Sequence, residues 1–186
     1  MVYYRTGYVP GDYALPVDYS TRSVLEGSRA AQYPSIALQL SGANIVQEVL
    51  SRPGILERFF APSEGADAVR DTWVSMWSLN SDNGKGAEEA VRRAHELVLK
   101  PQREEGGNNI YRGNISPFVA QMPQQERVAW VAMELIRPPR GVGAYLVRSV
   151  TGRVSARVMN EFGVFSWALF GERREIRGAG WMVGAD

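Results

Sequence analysis

The chain has 186 residues, of which 45% are hydrophobic and 22% charged, and its net charge is +1. This composition predicts one globular domain and excludes both a disordered chain and a polybasic tail. Cysteine is absent, which excludes a disulfide framework, a thiolate metal site and a cysteine nucleophile. The N-terminus lacks the pattern of a signal peptide, and no apolar run approaches about 18 residues, so we expect a soluble intracellular protein without membrane contact.

Residues 1–20 contain Tyr3, Tyr4, Tyr8, Tyr13 and Tyr19 together with two prolines, and they show no helical period. Prolines favour an extended path. Because aromatic side chains supply apolar area that must find a surface, we expect an extended arm. The sequence leaves open whether this arm folds onto its own domain or contacts a neighbouring subunit.

The middle of the chain has several segments with apolar residues at helical spacing. They are 35–51, a short helix from Pro53 to Pro62, the stripe Val69, Trp73, Met76 and Trp77, the face Ala87, Val91, Ala94 and Val98, and the face Val128, Val131, Ala132, Leu135 and Ile136. Between the last two lies a loop over 101–123 that is rich in Gly and Asn. Long loops of this kind are often functional.

The longest periodic segment follows the Pro138-Pro139 elbow. Apolar residues recur there at steps of three or four: Val147, Val150, Val154, Val158, Phe162, Phe165 and Leu169. This spacing predicts a helix, which Gly152 and Gly163 could divide in two. The sequence therefore predicts a mainly α fold with five to seven helices, in which an N-terminal arm (1–20) and a C-terminal arm (172–186) flank a helical core domain (21–171).

Lys85 and Lys100 are the only two lysines among 21 basic residues, so arginine dominates the positive charge. Arginine's planar fork suits phosphates and stacking on bases, although codon bias in a GC-rich genome explains the same excess. Arg153 and Arg157 are neighbours on the predicted helix, Arg148 lies near its opposite flank, and Arg137 and Arg140 bracket the elbow. These five arginines are the candidate nucleic-acid contacts, and the alternative for Arg157 is an ordinary ion pair with Glu161.

No catalytic motif can be assembled from the sequence. His95 is the only histidine, so the two-histidine metalloprotease spacing fails. The segment 83–87 (NGKGA) lacks the leading glycine and the hydroxyl residue of a phosphate loop. We therefore predict no enzyme, no cofactor and no metal. An enzyme that uses the Asn-rich loop (Asn108, Asn109 and Asn114) is a third hypothesis, and the sequence supports it least.

Residues 162–167 (FGVFSW), with Arg157 upstream, resemble the Phe-Ala-Ala-Phe-Asp-Phe type of box in coat proteins of flexuous filamentous plant viruses. Residues 58–62 (RFFAP) are similar to an Arg-aromatic-Phe-Ala-Pro segment of some members. About a dozen residues carry the resemblance, and Ser166 stands where the family has aspartate, which removes the partner of an internal Arg–Asp pair. The resemblance implies a helical core whose extended arms link subunits around single-stranded RNA.

These observations lead to a self-assembling structural protein as the first hypothesis. It would be a viral coat or nucleocapsid subunit, present in the cytoplasm before assembly and then in the virion, and it would form a helical homo-oligomeric filament around single-stranded nucleic acid, RNA in the first place. The arginines and the 101–116 loop would contact the nucleic acid, and the tyrosine arm would contact the next subunit. The alternative is a small helical nucleic-acid-binding regulator that does not polymerise.

Overall fold

A computed structural model describes residues 1–61, 65–102, 107–137, 144–148, 152–156, 160–169 and 175–185. These residues belong to two compact units, Met1–Ile136 (the first unit) and Arg137–Asp186 (the second unit). Each unit is described by itself. No helix in the described ranges is long and apolar enough to cross a membrane.

The first unit combines short helices with short strands. Its described α-helices are α1 (Pro16–Glu26), α2 (Ile36–Ser41), α3 (Asn44–Ser51), α4 (Ala66–Arg70), α5 (Lys85–Arg92) and α6 (Ile115–Gln121). Single turns of 3₁₀-helix cover Pro10–Asp12, Leu56–Phe59, Ser81–Gly84, Ala94–Glu96, Arg112–Asn114 and Gln124–Ala129. The strands are β1 (Val2–Tyr3), β2 (Gln32–Tyr33), β3 (Met76–Ser78), β4 (Leu97–Pro101), β5 (Ile110–Tyr111) and β6 (Trp130–Glu134).

Local sequence chemistry starts the first two helices. Helix α1 has proline in its first turn, where a missing N–H costs nothing, and Asp18 Oδ2 accepts the backbone N–H of Leu15 at 2.9 Å. At the start of α2, Ser35 Oγ accepts the N–H of Leu38 at 3.3 Å. These carboxylate and hydroxyl oxygens satisfy backbone donors that a helix leaves unpaired at its N-terminus.

The main sheet of the first unit is antiparallel and has the strand order β3–β6–β4–β5. Leu99 on β4 lies opposite Ala132 on β6 and Ile110 on β5, while Trp77 on β3 also lies opposite Ala132. Directly opposed residues point to the same side of a sheet. This register therefore places one continuous apolar layer on one face.

That face, called the core face below, packs against α5 and α6. Its buried cluster contains Leu79, Ala87, Ala90, Leu97, Leu99, Ile115, Val119, Met122 and Ala132. Burial of apolar area in this layer is the main favourable contribution to the stability of the first unit. The face of the sheet opposite the core face is called the second face below.

The second unit consists of two antiparallel hairpins. Strands β7 (Ala144–Arg148) and β8 (Gly152–Ala156) form one, and β9 (Asn160–Leu169) and β10 (Glu175–Ala185) form the other. The register of the longer hairpin shifts between Gly178 and Gly180. Such a bulge bends a strand locally, and glycine tolerates the unusual backbone angles.

The structure shows that the prediction of a mainly helical fold is wrong. The segment predicted as one long helix, from Val147 to Leu169, is strand in β7, β8 and β9, and its remaining residues lie outside the described ranges. The reason is that a step of four residues fits a strand, with its period of two, as well as it fits a helix. The β-branched and aromatic residues and the two glycines of this segment favour the strand.

The same ambiguity explains two other errors. The predicted helix over 87–98 ends at Arg92, and Leu97 and Val98 belong to β4. The predicted helix over 128–136 contains strand β6. In both segments the short apolar run fits the helical period, but a buried strand produces the same run.

The extended arms are also wrong as fold elements. Tyr3 lies in β1, a 3₁₀ turn covers Pro10–Asp12, and Tyr19 lies in α1. Residues 175–185 form β10, paired along its length with β9. The structure divides the chain after Ile136, and the domain boundaries after residues 20 and 171 stay predictions.

The close contacts of Gly86, the second glycine of the NGKG segment, explain why this position is glycine. A Cβ at this position would lie 2.3 Å from the backbone oxygen of Ser78 and 2.5 Å from Ser81 Oγ. The indole Nε1 of Trp77 donates to the carbonyl oxygen of Gly86 at 3.0 Å. Helix α5 thus touches β3 backbone to backbone, and only glycine permits this approach.

Arg93 joins the chain after α5 to the end of β6. Its guanidinium donates to Glu134 and, at 3.2 Å and 3.3 Å, to Glu96 Oε2, and it lies 5.5 Å from the ring centroid of Trp77. The hydrogen bond from Arg93 lowers the pKa of Glu134 below its ordinary value, more than burial raises it. The ion pair therefore favours the ionised carboxylate of Glu134 in the folded chain.

We expect the change Gly86→Ala to destabilise the first unit by about 1–3 kcal/mol, because its methyl group forces α5 away from β3. Alanine in an unobstructed helix position would instead stabilise by up to about 1 kcal/mol. Urea unfolding followed by circular dichroism measures the difference. The control is Gly11→Ala, where a Cβ meets no atom within 4 Å, and equal effects of the two changes would contradict the packing argument.

We expect the change Glu134→Gln to lower the free energy of unfolding by about 1 kcal/mol at pH 7. Because the folded pKa of Glu134 is lowered, the wild-type advantage is present above the unfolded pKa of about 4.3 and is lost as the pH falls through the folded pKa. Urea unfolding of both proteins at pH 7 and at pH 3 tests this. Glu89→Gln, at an exposed pair with Arg92, is the control and should show no measurable change, whereas a pH-independent difference for Glu134→Gln would contradict the assignment.

Candidate functional site

The second face of the sheet carries an apolar platform. Val98 on β4 lies opposite Tyr111 on β5 and Met133 on β6. Val98 is buried, Met133 is half-buried, and Tyr111 is 48% exposed. Three neighbouring strands thus place an aliphatic, an aromatic and a thioether side chain side by side, an arrangement that suits a flat apolar group.

Lys100 lies on the same face as Val98, two residues further along β4, towards the turn that leads to β5. Buried Leu99 and Pro101 flank it, and its own side chain is half-buried. The backbone of Lys100 pairs with Val131 in the sheet, whereas its side chain makes no hydrogen bond or ion pair with any residue that the structure describes. A half-buried lysine side chain without a counter-charge among the described residues favours an anion beside it.

The end of β4 is fixed to the start of α3. Asn44 Nδ2 donates to the carbonyl oxygen of Pro101 at 3.1 Å, and the backbone N–H of Ile45 donates to Gln102 Oε1 at 2.9 Å. The second bond also satisfies one of the N–H groups that a helix leaves unpaired at its N-terminus. These two bonds, called the α3 clamp below, fix Pro101 and Gln102, after which the glycine-rich segment between β4 and β5 begins.

Gln102 has a polar atom that the described structure leaves unsatisfied. Its Nε2 is buried, and among the described residues it has no hydrogen-bond partner. Gln102 lines a pocket of about 160 Å³ together with Tyr8, Gln39 and Asn44, and with Leu40, Gly42 and Ala43. A buried amide donor without a partner is costly, so this donor fits an acceptor oxygen supplied by a ligand.

A glycine-rich segment connects β4 to β5. Residues 103–106 lie outside the described ranges. Gly107 has φ +97°, which is in the left-handed region, and a Cβ there would meet no atom within 4 Å. Asn109 Nδ2 donates to the hydroxyl of Tyr111 at 3.3 Å. Bare glycine backbone leaves N–H groups accessible to an anion, as in many phosphate-binding turns.

The N-terminal residues supply another wall of the Gln102 pocket. Gln39 Nε2 donates to the carbonyl oxygens of Gly7 and Tyr8 at 3.2 Å each, and the Tyr8 hydroxyl donates to the carbonyl oxygen of Tyr4 at 2.6 Å. Asp12 Oδ2 accepts the N–H groups of residues 7, 8 and 9. These backbone donors lower the pKa of Asp12, Val9 having the largest effect. The wall is therefore ordered by its own hydrogen bonds.

The arginines predicted as nucleic-acid contacts do not form the predicted helical flank. Arg148 ends β7 and Arg153 lies in β8. Arg137 is exposed and is described, whereas Arg140 and Arg157 lie outside the described ranges. Because Arg153 lies in a strand, the helical spacing that predicted its pairing with Arg157 does not apply.

The tyrosines predicted as a subunit-contact arm make contacts within the first unit. Tyr13 and Tyr19 stack with ring centroids 4.6 Å apart, and the hydroxyl of Tyr4 donates to Gln32 Oε1 at 2.9 Å. Tyr3 packs against Tyr33 at 5.3 Å and stays 53% exposed. Of the five, Tyr8 lines the Gln102 pocket.

Lys100 and Met133 were not predicted as site residues, and Gln102 and Tyr111 were predicted only as part of the 101–116 loop. A signal for them was present, because the apolar run 97–99 is followed by Lys-Pro, by a Gly/Asn-rich segment and then by Ile110-Tyr111, which is a hairpin pattern. The helix assignment to 87–98 concealed it. Within the described residues, no group of three or more His, Cys, Asp or Glu could hold a metal ion.

Comparison with known proteins gives a consistent result. Residues 3–184 match the family model described as eukaryotic glutathione synthase, ATP binding domain. The chain is 40% identical over 172 residues to glutathione synthetase of Xenopus laevis and 36% identical over 169 residues to that of Homo sapiens. Each match covers 89% of this chain and 35% of the relative. The chain thus spans about a third of the length of these relatives.

A solved structure shares the fold. The glutathione synthetase-like effector of Globodera pallida, in its apo form, superposes with a TM-score of 0.59 at 19% identity and covers 89% of this chain and 35% of its own chain. At this identity the likeness shows the fold alone. It agrees with a mixed α/β architecture and not with a helical core.

These findings overturn the functional predictions made from sequence. The resemblance to viral coat proteins is wrong, since the family match covers nearly the whole chain and the resemblance covered about a dozen residues. Four further predictions are therefore wrong: the capsid filament, the homo-oligomer on RNA, the virion localisation and the alternative of a nucleic-acid-binding regulator. The prediction of no enzyme is wrong as well, because the relatives are named synthetases. The nucleic-acid and subunit-contact roles of individual residues stay untested and are not carried further.

The family match rests on more than one part of the chain. It begins at Tyr3, in β1 of the first unit, and ends at Gly184, in β10 of the second. It includes the platform of the second face, Lys100 and the glycine-rich segment. The chain belongs to the eukaryotic glutathione synthase ATP-binding domain family.

Proposed function

We propose that this chain is the nucleotide-binding part of an ATP-dependent ligase of the glutathione synthetase type, and that ATP binds on the second face of the sheet. The observation that carries the proposal is Lys100, a half-buried cation without a partner among the described residues, next to a glycine-rich segment. The family description, which names ATP binding, and the relatives' names support it.

The phosphates occupy the end of β4 in this proposal. Lys100 supplies positive charge, the unpaired Nε2 of Gln102 supplies a donor, and the backbone around Gly107 supplies N–H groups. Donors that are fixed before the ligand arrives lose little freedom on binding. The α3 clamp holds Gln102 in this way, since its Oε1 is already bonded to Ile45.

The base occupies the platform of Val98, Tyr111 and Met133. The platform starts two residues before Lys100 on β4, and two residues of a strand span about 6.6 Å. This separation leaves room for a sugar between a base on the platform and phosphates at the turn. The hydrogen bond from Asn109 to the Tyr111 hydroxyl orients the ring and ties it to the glycine-rich segment.

In the reaction, the chain's residues bind and orient the phosphates and stabilise negative charge as it develops on them. Lys100 is the residue in the described structure best placed for this, because its ammonium group has no competing carboxylate among its described neighbours. Charge stabilisation by a preorganised cation is a principal source of rate enhancement in phosphoryl transfer. For the complete ligase, we propose glutathione as the peptide product, as the names of the relatives indicate.

We expect the change Lys100→Met to weaken ATP binding at least about tenfold, because a charge-assisted contact worth about 1.5–3 kcal/mol is lost. Isothermal titration calorimetry with Mg·ATP measures the affinity. The matched control is Lys85→Met at the only other lysine, which is exposed. Wild-type protein that does not bind ATP, or equal losses in the two variants, would contradict the proposed site.

The two lysines also permit a chemical test without mutation. Acetylation of the native protein, followed by mass spectrometry, should show that ATP protects Lys100 and leaves Lys85 reactive. Protection of neither lysine would contradict an ammonium contact with the nucleotide.

We expect the change Tyr111→Ala to separate recognition of the base from recognition of the phosphates. Loss of an aromatic stacking partner should weaken ATP binding by about 1–3 kcal/mol and leave the affinity for inorganic tripolyphosphate unchanged. Tyr111→Phe keeps the ring and is the control. An equal loss for ATP and tripolyphosphate would show that Tyr111 does not contact the base.

A further inference from the structure

Helix α1 has its charged side inward and its apolar side outward. Arg22 is only 5% exposed, whereas Val17 and Val24 are 57% and 73% exposed. At about 3.6 residues per turn, both valines lie on the side of the helix opposite Arg22. A surface helix of a globular protein typically shows the reverse arrangement.

The inward side is held by specific contacts. The guanidinium carbon of Arg22 lies 3.4 Å from the ring centroid of Tyr4, and its Nη2 donates to the carbonyl oxygen of Pro34 at 3.2 Å. Arg22 Nε lies 3.7 Å from Glu26 Oε2, and Glu26 Oε1 accepts the N–H of Ile36 at 2.8 Å. Because these contacts join α1 to β1 and to the start of α2, the helix cannot turn to bury its valines without breaking them.

The outward side forms an apolar groove. Val17, Ser20, Thr21 and Val24 follow one another at the spacing of a single helix face. Ser20, Thr21, Val24 and Leu25 line a groove of about 250 Å³ whose walls are almost entirely apolar. Among the described residues, no charged side chain lines this groove. A contiguous apolar surface of this kind, exposed to water, marks an interface.

We infer that this face of α1 is the contact surface for the part of the glutathione synthetase fold that has no counterpart in these 186 residues. The Xenopus laevis enzyme and the Globodera pallida structure each have about 65% of their chain outside the match, since the match covers 35% of each. In those relatives the matched segment and the remaining polypeptide belong to one chain. An uncharged face suits a permanent contact of the kind found in a protein core better than a transient encounter.

The inference rests on family membership and on the orientation of α1, and it does not depend on the nucleotide site. The two can therefore fail separately. A chain that binds ATP but does not use α1 as an interface would leave the proposed function standing, and the reverse result is equally distinguishable.

The test places the charge of a glutamate on the face in two contexts. One context is the chain alone, and the other is a chimera in which this chain replaces the matching 172 residues of the Xenopus laevis enzyme. We expect Val24→Glu to change the melting temperature of the chain alone by less than about 2 °C, because the site is exposed. In the chimera we expect a decrease of about 5 °C or more, because the carboxylate is buried without a partner.

The matched control is Val128→Glu, at a valine that is 58% exposed in the 3₁₀-helix Gln124–Ala129. It should have little effect in either context. Equal effects of the two substitutions in the chimera would overturn the inference. So would a chimera that does not fold although the chain alone does, or a self-association of the chain alone that Val24→Glu abolishes, since a second copy would then be the occupant.

Discussion

The register of β4 between β5 and β6 is the constraint on which the candidate site depends. Leu97 and Leu99 face α5 and α6, and this burial fixes the pairing of Leu99 with Ala132. Because side chains alternate along a strand, the same pairing sets Val98 and Lys100 on the opposite face. A slip by one residue would exchange the two faces, so the hydrophobic core and the candidate nucleotide site are specified by one physical choice.

Two arginines link short elements of the first unit, and the sequence did not mark either of them as structural. Arg93 bonds Glu96 and Glu134 across the start of β4 and the end of β6. Arg22 lies under Tyr4 and joins α1 to the segment after β2. The contacts of Arg93 and Arg22 link short elements, although Nε and Nη1 of Arg22 are buried without a hydrogen-bond partner among the described residues. The arginine excess of the chain thus has at least a partial structural explanation.

The sequence allowed some local features to be predicted and missed the architecture. The sequence predicted a helix over 35–51, where α2 and α3 lie, but it placed the start of α1 in an extended arm. The loop predicted over 101–123 contains β5, a 3₁₀ turn and α6. The sheet of the first unit was missed because apolar residues four apart, such as Ala94 and Val98, satisfy both the helical and the strand period. Lys100 was missed because nothing in a single sequence states that Val131 will lie opposite it, 31 residues later. Assigning a helical period to strand residues therefore concealed the candidate site as well as the sheet.

The α3 clamp and the sheet register have a consequence for synthesis of the chain. Asn44 meets Pro101 across 57 residues, and β4 acquires its neighbour β6 only when residues up to Glu134 are available. During translation, β4 therefore presents an unpaired edge with three consecutive buried-type residues for as long as it takes to make about thirty more. Unpaired apolar edges are where nascent chains aggregate. The strand that carries the candidate site thus also needs protection before folding, and Lys100 supplies the kind of charge that natural sheets place on such an edge.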